Sequence, residues 1–449
     1  MKQAVILAGG KGTRLAVRLD GRPKPLVEVC GEPLLGRQLR ALADQGIEDV
    51  LLLVNHRAKD IDEFVATATA NVPLRVALRD DGDTPLGTAG ALFAAIDDLD
   101  DEFLLVYGDT LFDIDVAAML EHHRVHLADV TLLVHPNDHP ADSDLIELDD
   151  ADRVVAMHGY PHADGVDYDN LVNAAFYVCR RKGLGRLLET GRPQDLAKDH
   201  LPALLAAGAR LFGYRSFEYI KDIGTPSRLE LAEAHLKSGR VARARRSMPQ
   251  HAVFVDRDGT LNELNGYISD PDQLCLIDGA GAAVARLNAL EFRVIVTTNQ
   301  PVIARGECDE AGMGRIHRRL QTLLGHHGAF VDLIQYCPHH PDAGFVGEVP
   351  TLKRKCECRK PGIALIEQAR EILNVDLKKS WFIGDSTADI EAARRSGLRS
   401  ILVQTGEGGA DGKYPCHPDY VVADLAEAVS LIATGPLESR VGQSQEAVY

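Results

Sequence analysis

The chain has 449 residues, a length that suits two domains better than one hydrophobic core. Its formal net charge of −17 argues against binding to nucleic acids or to anionic membranes, because like charges repel. No apolar run is long enough for a membrane span, the first residues enter a strand rather than a signal peptide, and eight cysteines are too few for a secreted disulfide scaffold. We therefore expect a cytoplasmic protein that acts on small molecules, as a monomer or as a homo-oligomer.

Short apolar runs alternate with helix-length segments in both halves of the chain. The first half offers strands at QAVILA, DVLLLVN and FLLVYGD, and helices over 33–45, 58–70 and 88–96. The second half offers strands at AVFVD, FRVIVTTN, SWFIGD and SILVQ. This alternation predicts two α/β domains with mostly parallel sheets.

A strand leads into a glycine-rich loop at the very start, LAGGKGTRL over 7–15. Glycines allow backbone N–H groups to approach phosphate oxygens closely, and Arg14 adds a positive charge. The spacing fits neither a Walker loop nor a dinucleotide-binding GxGxxG motif. Taken alone, this segment is also compatible with an ordinary glycine-rich turn.

Further motifs follow this loop in a fixed order. They are RPKP with Lys24, LGTAG over 86–90, YGD with Asp109, and KDIGTP with Asp222. The ordered set resembles the sugar-1-phosphate nucleotidyltransferases over 2–237, closest to the D-glycero-α-D-manno-heptose 1-phosphate and mannose-1-phosphate guanylyltransferase branch. The resemblance implies a Rossmann-like (GT-A-like) domain.

The same resemblance implies a reaction in which a sugar-1-phosphate oxygen attacks the α-phosphorus of a nucleoside triphosphate and releases pyrophosphate. Asp109 and Asp222 would hold Mg²⁺, Lys24 would bridge the two phosphates, and Asn173 would contact the sugar. The implied nucleotide-binding residues are Leu7, Gly9, Gly10, Gly12, Thr13, Arg14, Gly87 and Thr88. The assignment of guanine rests on the resemblance, and Ala175 stands where relatives usually have glycine.

The segment 238–250, SGRVARARRSMPQ, is basic, contains glycine and proline, and precedes a new apolar strand. We interpret it as a linker between a domain over 1–237 and a second over 251–434, in preference to a partner-binding helix. A helix is expected over 226–237. The polar residues 435–449 are expected to form a flexible tail.

The second domain begins with VFVDRDGT over 253–260, a strand that delivers Asp256 and Asp258 to its C-terminal end. Ligands bind at such ends in α/β sheets, and two carboxylates this close repel unless a cation such as Mg²⁺ shares them. VIVTTN, RKP and FIGDSTAD then follow in order. The order resembles the haloacid dehalogenase superfamily of phosphatases, and it implies a Rossmannoid domain.

The superfamily pattern implies a role for each motif residue. Asp256 would attack phosphorus and form an aspartyl-phosphate, while Asp258 would protonate the leaving oxygen and later help to deprotonate water. Thr298 and Lys360 would hold the phosphoryl group. The implied Mg²⁺ ligands are Asp256, Asp385 and the backbone carbonyl of Asp258, with Asp389 in support.

Two pairs of potential metal ligands, Cys337-Pro-His339 and Cys356-Glu-Cys358, are separated by a loop with little to form a core. Three thiolates and one imidazole suit tetrahedral Zn²⁺, which would hold this loop together. His340 competes with His339 as the fourth ligand. Zinc here would also fix Arg359 and Lys360 near the phosphate.

CPHH followed by CxCRKP resembles the D-glycero-D-manno-heptose 1,7-bisphosphate 7-phosphatases over 252–432, with histidinol-phosphate phosphatases as close relatives. The resemblance favours His339 as the zinc ligand. The expected sugar-phosphate contacts are Lys24 in the first domain and Asn299, Arg305 and Arg359 in the second. Pro301 and Val302 replace small residues in a loop that we expect to face the substrate.

Together, the two halves predict consecutive steps. Heptose 1,7-bisphosphate would lose its 7-phosphate, and the heptose 1-phosphate, expected as the α anomer, would take GMP from GTP to give GDP-heptose and pyrophosphate. One alternative is a mannose- or glucose-1-phosphate nucleotidyltransferase fused to a phosphatase of another substrate, such as histidinol phosphate. Another is a regulatory protein with silent sites, which the presence of Lys24, Asp109 and Asp256 disfavours.

Overall fold

The computed structural model describes residues 1–435 except 11, 20, 70, 71, 83, 84, 188, 190, 191, 345 and 416. The tail predicted over 435–449 therefore lies outside the described residues, apart from Gly435. The chain divides into two compact units. Unit 1 comprises Met1–His135, Ala141–Ala163 and Leu171–Met248, and unit 2 comprises Pro136–Pro140, Asp164–Asn170 and Pro249–Tyr449.

Unit 1 contains a nine-stranded sheet and two small two-stranded sheets. Its strands are β1 (Gln3–Leu7), β2 (Glu28–Val29), β3 (Glu32–Pro33), β4 (Asp49–Val54), β5 (Arg75–Asp80), β6 (Glu102–Tyr107), β7 (Thr110–Asp113), β8 (Val130–His135), β9 (Leu145–Leu148), β10 (Val154–His158), β11 (Val172–Arg180), β12 (Leu211–Arg215) and β13 (Tyr219–Asp222). The large sheet runs in the order β10-β9-β11-β6-β1-β4-β5, and β8 pairs with both β11 and β12.

The helices of unit 1 cover the faces of the large sheet or join its strands. They are α1 (Ala16–Leu19), α2 (Leu34–Asp44), α3 (Ala58–Ala68), α4 (Gly87–Ala94), α5 (Val116–Val125), α6 (Arg181–Leu184), α7 (Leu201–Ala206), α8 (Pro226–Lys237) and α9 (Arg240–Arg243). From Ala4 to Leu7 the central strand β1 is apolar because both of its faces are covered: Val5 belongs to one core cluster, and Ala4 and Ile6 belong to the other.

The sheet of unit 1 is mixed, whereas we expected mostly parallel strands. Strands β4, β5 and β6 are joined to β1 through parallel pairs, but β11 runs antiparallel to β6, β8 and β9. The segment 238–250, which we interpreted as a linker, includes α9, and Val241 is buried in a cluster with Leu15 and Leu229.

Unit 2 contains a six-stranded, wholly parallel sheet in the order β16-β15-β14-β17-β18-β19. The strands are β14 (Ala252–Val255), β15 (Arg293–Asn299), β16 (Leu333–Cys337), β17 (Trp381–Gly384), β18 (Arg399–Val403) and β19 (Tyr420–Val422). The helices are α10 (Ala280–Ala289), α11 (Pro301–Ala304), α12 (Glu310–Gly325), α13 (Ala364–Leu373), α14 (Thr387–Ser396) and α15 (Leu425–Thr434).

This order places the first strand of unit 2 at the centre, so the chain reverses its direction of winding at β14. The polar ends of β14, β15 and β17 consequently meet at one edge of the sheet, where open α/β sheets bind their ligands. Among the residues described, we find no helix with the length and apolar character needed to cross a membrane.

Two candidate active sites and a candidate metal cluster

The edge of the unit 2 sheet brings three carboxylates around one lysine. Lys360 Nζ lies 2.8 Å from Asp256 Oδ1 and 2.6 Å from Asp389 Oδ1. Asp256 follows β14, and Asp385 follows β17, the neighbouring strand. Oxygens of Asp256, Asp385 and Asp389 all lie within 4.8 Å of one another. The side chain of Lys360 is only 2% exposed, so its charge is directed almost entirely at these carboxylates.

One lysine does not compensate three buried carboxylates. Burial raises the pKa of Asp256 to about 7, with Lys360 opposing and Asp389 adding to the shift. Burial, followed by the charge of Asp256, raises the pKa of Asp385 to about 8. The three carboxylates carry more negative charge than Lys360 neutralises, and all their ligand atoms are oxygens. Mg²⁺ prefers oxygen ligands and would supply the missing positive charge. The residues present therefore fit a divalent cation.

A glycine-rich loop after β18 holds Asp385, and no sequence motif pointed to this loop. The backbone N–H of Glu407 donates to Asp385 Oδ2 at 2.7 Å, and the N–H of Gly409 donates to the Asp385 carbonyl at 2.7 Å. The Thr405 hydroxyl donates to the Gly259 carbonyl at 2.6 Å, which ties this loop to the DRDGT loop. Gly406 has φ +59° and lies so close to Asp385 that a Cβ would collide with the carboxylate.

Asp258, the predicted acid and base, accepts hydrogen bonds from three neighbouring side chains. Both its oxygens accept from the Arg257 guanidinium at 2.9–3.1 Å. Asn262 Nδ2 donates to Oδ1 at 3.0 Å, and Gln300 Nε2 donates to Oδ2 at 2.7 Å. Gln300 also bonds Thr298, the predicted phosphate-binding hydroxyl, at 2.9 Å. Arg257 lies inside VFVDRDGT and Gln300 directly follows VIVTTN, so their positions were visible in the sequence although their roles were not.

The predicted sugar-phosphate residues of unit 2 have other partners in this structure. Asn299 holds the backbone of Lys360 from both sides, accepting its N–H at 2.9 Å and donating to its carbonyl at 3.3 Å. Arg305 pairs with Glu307 at 2.6 Å and lies 4.6 Å above the centre of the Tyr267 ring.

The loop with Pro301 and Val302 keeps these two side chains inside the domain. Both residues are buried in the first turn of α11, and Val302 belongs to the hydrophobic core of unit 2. The helix that begins at Pro301 turns both side chains inward, and the expectation that the loop faces the substrate stays a prediction.

The cysteine pairs meet as one cluster with His339. The distances are 3.5 Å from Cys337 Sγ to Cys356 Sγ, 3.3 Å between Cys356 Sγ and Cys358 Sγ, and 3.2 Å from Cys358 Sγ to His339 Nδ1. These sulfurs are too far apart for a disulfide and close enough to share one tetrahedral ion. His340 lies outside the cluster, with Nδ1 accepting from the Asp342 N–H at 3.1 Å.

Arg359 links this cluster to the active site. Its guanidinium donates to the carbonyl of His339 at 3.2 Å, and the next residue is Lys360. A metal that fixes His339 and Cys358 would therefore also fix the segment that carries Lys360. The link that the sequence predicted between a metal ion and the phosphate-binding cations stays a prediction, and Arg359 itself contacts the carbonyl of His339.

The candidate site of unit 1 is a pocket of about 230 Å³ at the ends of β1, β4 and β6. It is lined by predicted residues from four separate motifs: Leu7, Gly9, Gly10, Lys24, Gly87, Thr88 and Asp109. Asn55, Asp81 and Tyr107 also line it and were not selected from the sequence. The structure thus brings the N-terminal loop, RPKP, LGTAG and YGD together in one place.

Charged side chains converge beside this pocket. Lys24 Nζ makes a close ion pair with Asp109 Oδ2. A Cβ built on Gly224 would lie 3.2 Å from Asp222 Oδ2, 3.4 Å from Arg14 Nη2 and 3.9 Å from Lys24 Nζ. Asp222 is paired with Arg228 Nη1 at 2.6 Å, a partner that the sequence did not suggest. The carboxylates and cations of KDIGTP, RPKP and the first loop therefore surround one small space.

Gly12 and Thr13 were predicted to bind the nucleotide, but they are not among the residues that line the pocket. Gly12 has φ +65° and precedes a short 3₁₀ turn that begins at Thr13. A side chain at Gly12 would run into Leu19 and into Lys24, so this glycine leaves room for the lysine. Thr13 is exposed and is not among the residues that line the pocket.

The LGTAG motif serves a packing function in addition to lining the pocket. Gly87 has φ +72°, and a Cβ on it would collide with the carbonyl of Gln194. The Leu196 N–H donates to the Thr88 hydroxyl at 2.7 Å, and the Ala89 N–H donates to the Gln194 carbonyl at 3.0 Å. The start of α4 is therefore bound to the segment around Gln194, whose importance no sequence motif indicated.

Asn173 lies on β11, where its side-chain oxygen accepts from the Ala175 N–H at 3.3 Å. Ala175 has φ +55°, a left-handed conformation that glycine adopts without strain. The irregular pairing of β11 with β8 also lies between Asn173 and Tyr177. Asn173 does not line the pocket described above.

Comparison with known proteins identifies both units. The nucleotidyl transferase family model matches residues 3–239, and the HAD-hydrolase-like model matches residues 357–428. The D-glycero-beta-D-manno-heptose-1,7-bisphosphate 7-phosphatase of Pseudomonas aeruginosa is 40% identical over 187 residues, which are 41% of this chain and 99% of that protein. The D-glycero-D-manno-heptose-1,7-bisphosphate 7-phosphatase of Chlorobaculum tepidum is 36% identical over 196 residues, 42% of this chain and 96% of that protein.

Solved structures also resemble each part of the chain. HddC from Yersinia pseudotuberculosis, complexed with GMP-PN, is 25% identical with a TM-score of 0.45, covering 53% of this chain and 100% of that one. The D,D-heptose 1.7-bisphosphate phosphatase from B. bronchiseptica, complexed with magnesium and phosphate, is 33% identical with a TM-score of 0.37, covering 41% of this chain and 99% of that one.

A nucleotidyltransferase domain and a HAD-like phosphatase domain thus make up a single bifunctional enzyme. The chain belongs to the nucleotidyl transferase family, whose model matches more than half of its length, and through its second half to the family of the heptose-bisphosphate phosphatases.

Proposed function

We propose that this enzyme catalyses two consecutive steps in the synthesis of a nucleotide-activated heptose. The phosphatase domain, over 251–434, hydrolyses the 7-phosphate of D-glycero-D-manno-heptose 1,7-bisphosphate. The transferase domain, over 1–237, then joins GMP from GTP to D-glycero-α-D-manno-heptose 1-phosphate and releases pyrophosphate. The observation that carries this proposal is the union of the two families in one chain, because the product of the first reaction is a sugar 1-phosphate, the substrate class of the second.

In the first step of the phosphatase reaction, an oxygen of Asp256 attacks phosphorus while the bond from phosphorus to the sugar oxygen breaks. Asp258 gives its proton to that leaving oxygen. In the second step, water attacks the aspartyl-phosphate, Asp258 takes a proton from the water, and phosphate departs. Lys360, 2.8 Å from Asp256, and the Thr298 hydroxyl hold the phosphoryl oxygens throughout.

The carboxylates of Asp256 and Asp385, with the carbonyl of Asp258, would hold Mg²⁺. When bound, this ion supplies positive charge to the phosphoryl oxygens. We assign Zn²⁺ to Cys337, His339, Cys356 and Cys358 as a structural ion, since their sulfur and nitrogen atoms suit its tetrahedral preference. Thiolate ligands require a reducing environment, which supports a cytoplasmic location.

In the transferase reaction, a phosphate oxygen of heptose 1-phosphate attacks the α-phosphorus of GTP, and the bond to pyrophosphate breaks. Lys24 and Arg14 offset the repulsion between the two anions. Asp109 and Asp222 would hold Mg²⁺, which supplies further positive charge when bound. Both carboxylates are paired with cations in this structure, so Lys24 and Arg228 exchange partners when the substrates bind. The choice of guanine is supported by the resemblance of the ordered motifs to guanylyltransferases.

Phosphorus NMR tests the whole proposal in one sample. The enzyme is given heptose 1,7-bisphosphate, GTP and Mg²⁺, and we expect phosphate, then pyrophosphate and a nucleotide-heptose to appear. Parallel samples replace GTP with ATP, CTP or UTP, and compare the α and β anomers of the bisphosphate. Release of phosphate without a nucleotide-heptose from any nucleoside triphosphate would show that the two domains do not share this pathway.

A further inference from the structure

The side-chain amide of Gln300 makes three hydrogen bonds within the phosphatase site. Nε2 donates to Asp258 Oδ2 at 2.7 Å and to Thr298 Oγ1 at 2.9 Å, while Oε1 accepts from Arg257 Nη2 at 2.9 Å. Gln300 is 2% exposed and Thr298 1% exposed, so water does not compete for these bonds. One neutral side chain therefore contacts both the proposed acid and the proposed phosphate-binding hydroxyl.

The orientation of this amide is fixed by the charges around it. In the opposite orientation, Oε1 would face the carboxylate of Asp258 and the NH₂ group would face the guanidinium of Arg257. Both contacts would be repulsive inside a buried site, where such interactions are poorly screened. The NH₂ group consequently faces Asp258 and Thr298, and both of its hydrogens are used.

This orientation determines which way the Thr298 hydroxyl points. Because Thr298 Oγ1 accepts a hydrogen from Gln300, its own hydrogen is directed elsewhere and is available to an acceptor such as a phosphoryl oxygen. The same NH₂ group holds Oδ2 of Asp258, while Asn262 and Arg257 hold Oδ1. The carboxylate is thereby fixed at both oxygens.

We propose that Gln300 is a positioning residue of the phosphatase, which holds Asp258 where it can protonate the leaving oxygen and keeps the Thr298 hydroxyl as a donor to the phosphoryl group. This inference rests on the roles proposed above for Asp258 and Thr298. It concerns a residue that acts through these two and does not itself touch the substrate.

The test compares a poor leaving group with a good one. A sugar oxygen must be protonated as it leaves, whereas the 4-nitrophenolate ion leaves without a proton. Gln300→Met removes the amide at similar length, and Gln300→Glu keeps the acceptor for Arg257 but removes both N–H donors. In both variants we expect kcat/KM for heptose 1,7-bisphosphate to fall about 10²-fold, and to fall at least about tenfold less for 4-nitrophenyl phosphate.

A double-mutant cycle connects the effect to Asp258. In the Asp258→Asn background, Gln300→Met should change the ratio of the two kcat/KM values by less than about twofold, because the acid is already lost. Asn288→Leu is the matched control, since Asn288 is a buried amide of unit 2 that bonds the backbone of Phe330. It should lower the melting temperature without changing the ratio.

Two results would overturn the inference, and they differ from one another. If Asp258→Asn acts selectively on the sugar phosphate while both Gln300 variants slow the two substrates equally, Gln300 has only a structural role. If Asp258→Asn itself slows both substrates equally, the proposed acid is wrong, and the positioning role fails with it.

Discussion

The two active sites hold their charges in different surroundings. In unit 2, Lys360 is 2% exposed and contacts Asp256 and Asp389, and these groups have further partners in the surrounding loops. In unit 1, the side chains of Lys24 and Asp109 are 14% and 26% exposed, and they pair with one another beside an open pocket. We therefore expect substitutions in unit 2 to affect both chemistry and folding, and substitutions of the pocket cations in unit 1 to affect chemistry alone.

The largest effect is expected for Asp256, the proposed nucleophile. Asp256→Asn should lower phosphate release about 10⁴-fold or more, because the amide cannot form the aspartyl-phosphate. Pyrophosphate release from GTP and heptose 1-phosphate should stay within about twofold of the parent enzyme, since it occurs in the other unit. The exposed Asp272→Asn serves as the control. Residual release of the 7-phosphate at a tenth of the parent rate or more would exclude Asp256 as the nucleophile.

The metal cluster should be the most sensitive point for folding. Cys356→Ser should remove bound zinc, measured by mass spectrometry, and lower the free energy of unfolding of unit 2 by at least about 2 kcal/mol. Trp381, the single tryptophan of the chain, is buried in β17 and reports unfolding of this unit by fluorescence. Cys275→Ser, at an exposed cysteine outside the cluster, should change neither quantity. Equal zinc content in both variants would refute the proposed ligand set.

Lys24→Met tests the expectation that the loss of a pocket cation in unit 1 affects chemistry without affecting folding. Loss of this cation should slow pyrophosphate release about 10²-fold, because two phosphates then approach without it. Calorimetry should show little change in the stability of unit 1, since Lys24 is partly exposed and its ion pair with Asp109 is open to solvent. Lys2→Met, at a surface ion pair with Glu48, is the control. A loss of more than about 1 kcal/mol in stability would break the distinction between the two sites.

The free energy of unfolding should depend on pH because of His317, a buried residue with no proposed catalytic role. Burial lowers the pKa of His317 to about 3 in the folded protein, from an ordinary value of 6.5. The unfolded chain therefore binds a proton below pH 6.5 that the folded chain does not, and stability falls by about 2 kcal/mol between pH 7 and pH 5. Urea unfolding of His317→Phe should lose this part of the pH dependence. His326→Phe, exposed at the end of the same helix, should retain it.

The smallest effect concerns backbone strain. Ala175→Gly should raise the free energy of unfolding of unit 1 by about 0.5 kcal/mol, because the relief of the left-handed conformation exceeds the added freedom of the unfolded chain. Ala118→Gly, within α5, should instead cost about 1 kcal/mol. Calorimetry distinguishes the two signs. A loss of stability in Ala175→Gly would mean that the left-handed conformation of Ala175 carries no strain.

The strands that could be predicted from the sequence share one physical property. Strands β1, β6 and β14 are buried on both faces, and they appear as unbroken apolar runs. Strands such as β9 and β10 mix apolar with polar residues and lacked a comparable signal, so the antiparallel pair that they form was missed. The wholly parallel sheet of unit 2 matched the expectation for that half.

The residues of the candidate sites divide in a similar way. Motifs that follow a strand directly, such as those of Asp256 and Asp109, were visible because the chain itself places them at a sheet edge. The N–H groups of Glu407 and Gly409 hold Asp385 through the backbone, which leaves no side-chain signature in the sequence. Arg228 is separated from its partner by a turn, and only the folded chain brings the two together.

The packing of Gly87 against Gln194 has a consequence for how such motifs are used to classify proteins. Any enzyme that closes this pocket with the same backbone contact needs a glycine at this point, whichever base it accepts. A search pattern built on LGTAG will therefore recover the architecture across enzymes of different base preference. Under the proposed function, base preference is set by side chains that line the pocket, such as Asn55 and Asp81, where substitution leaves the backbone contact intact.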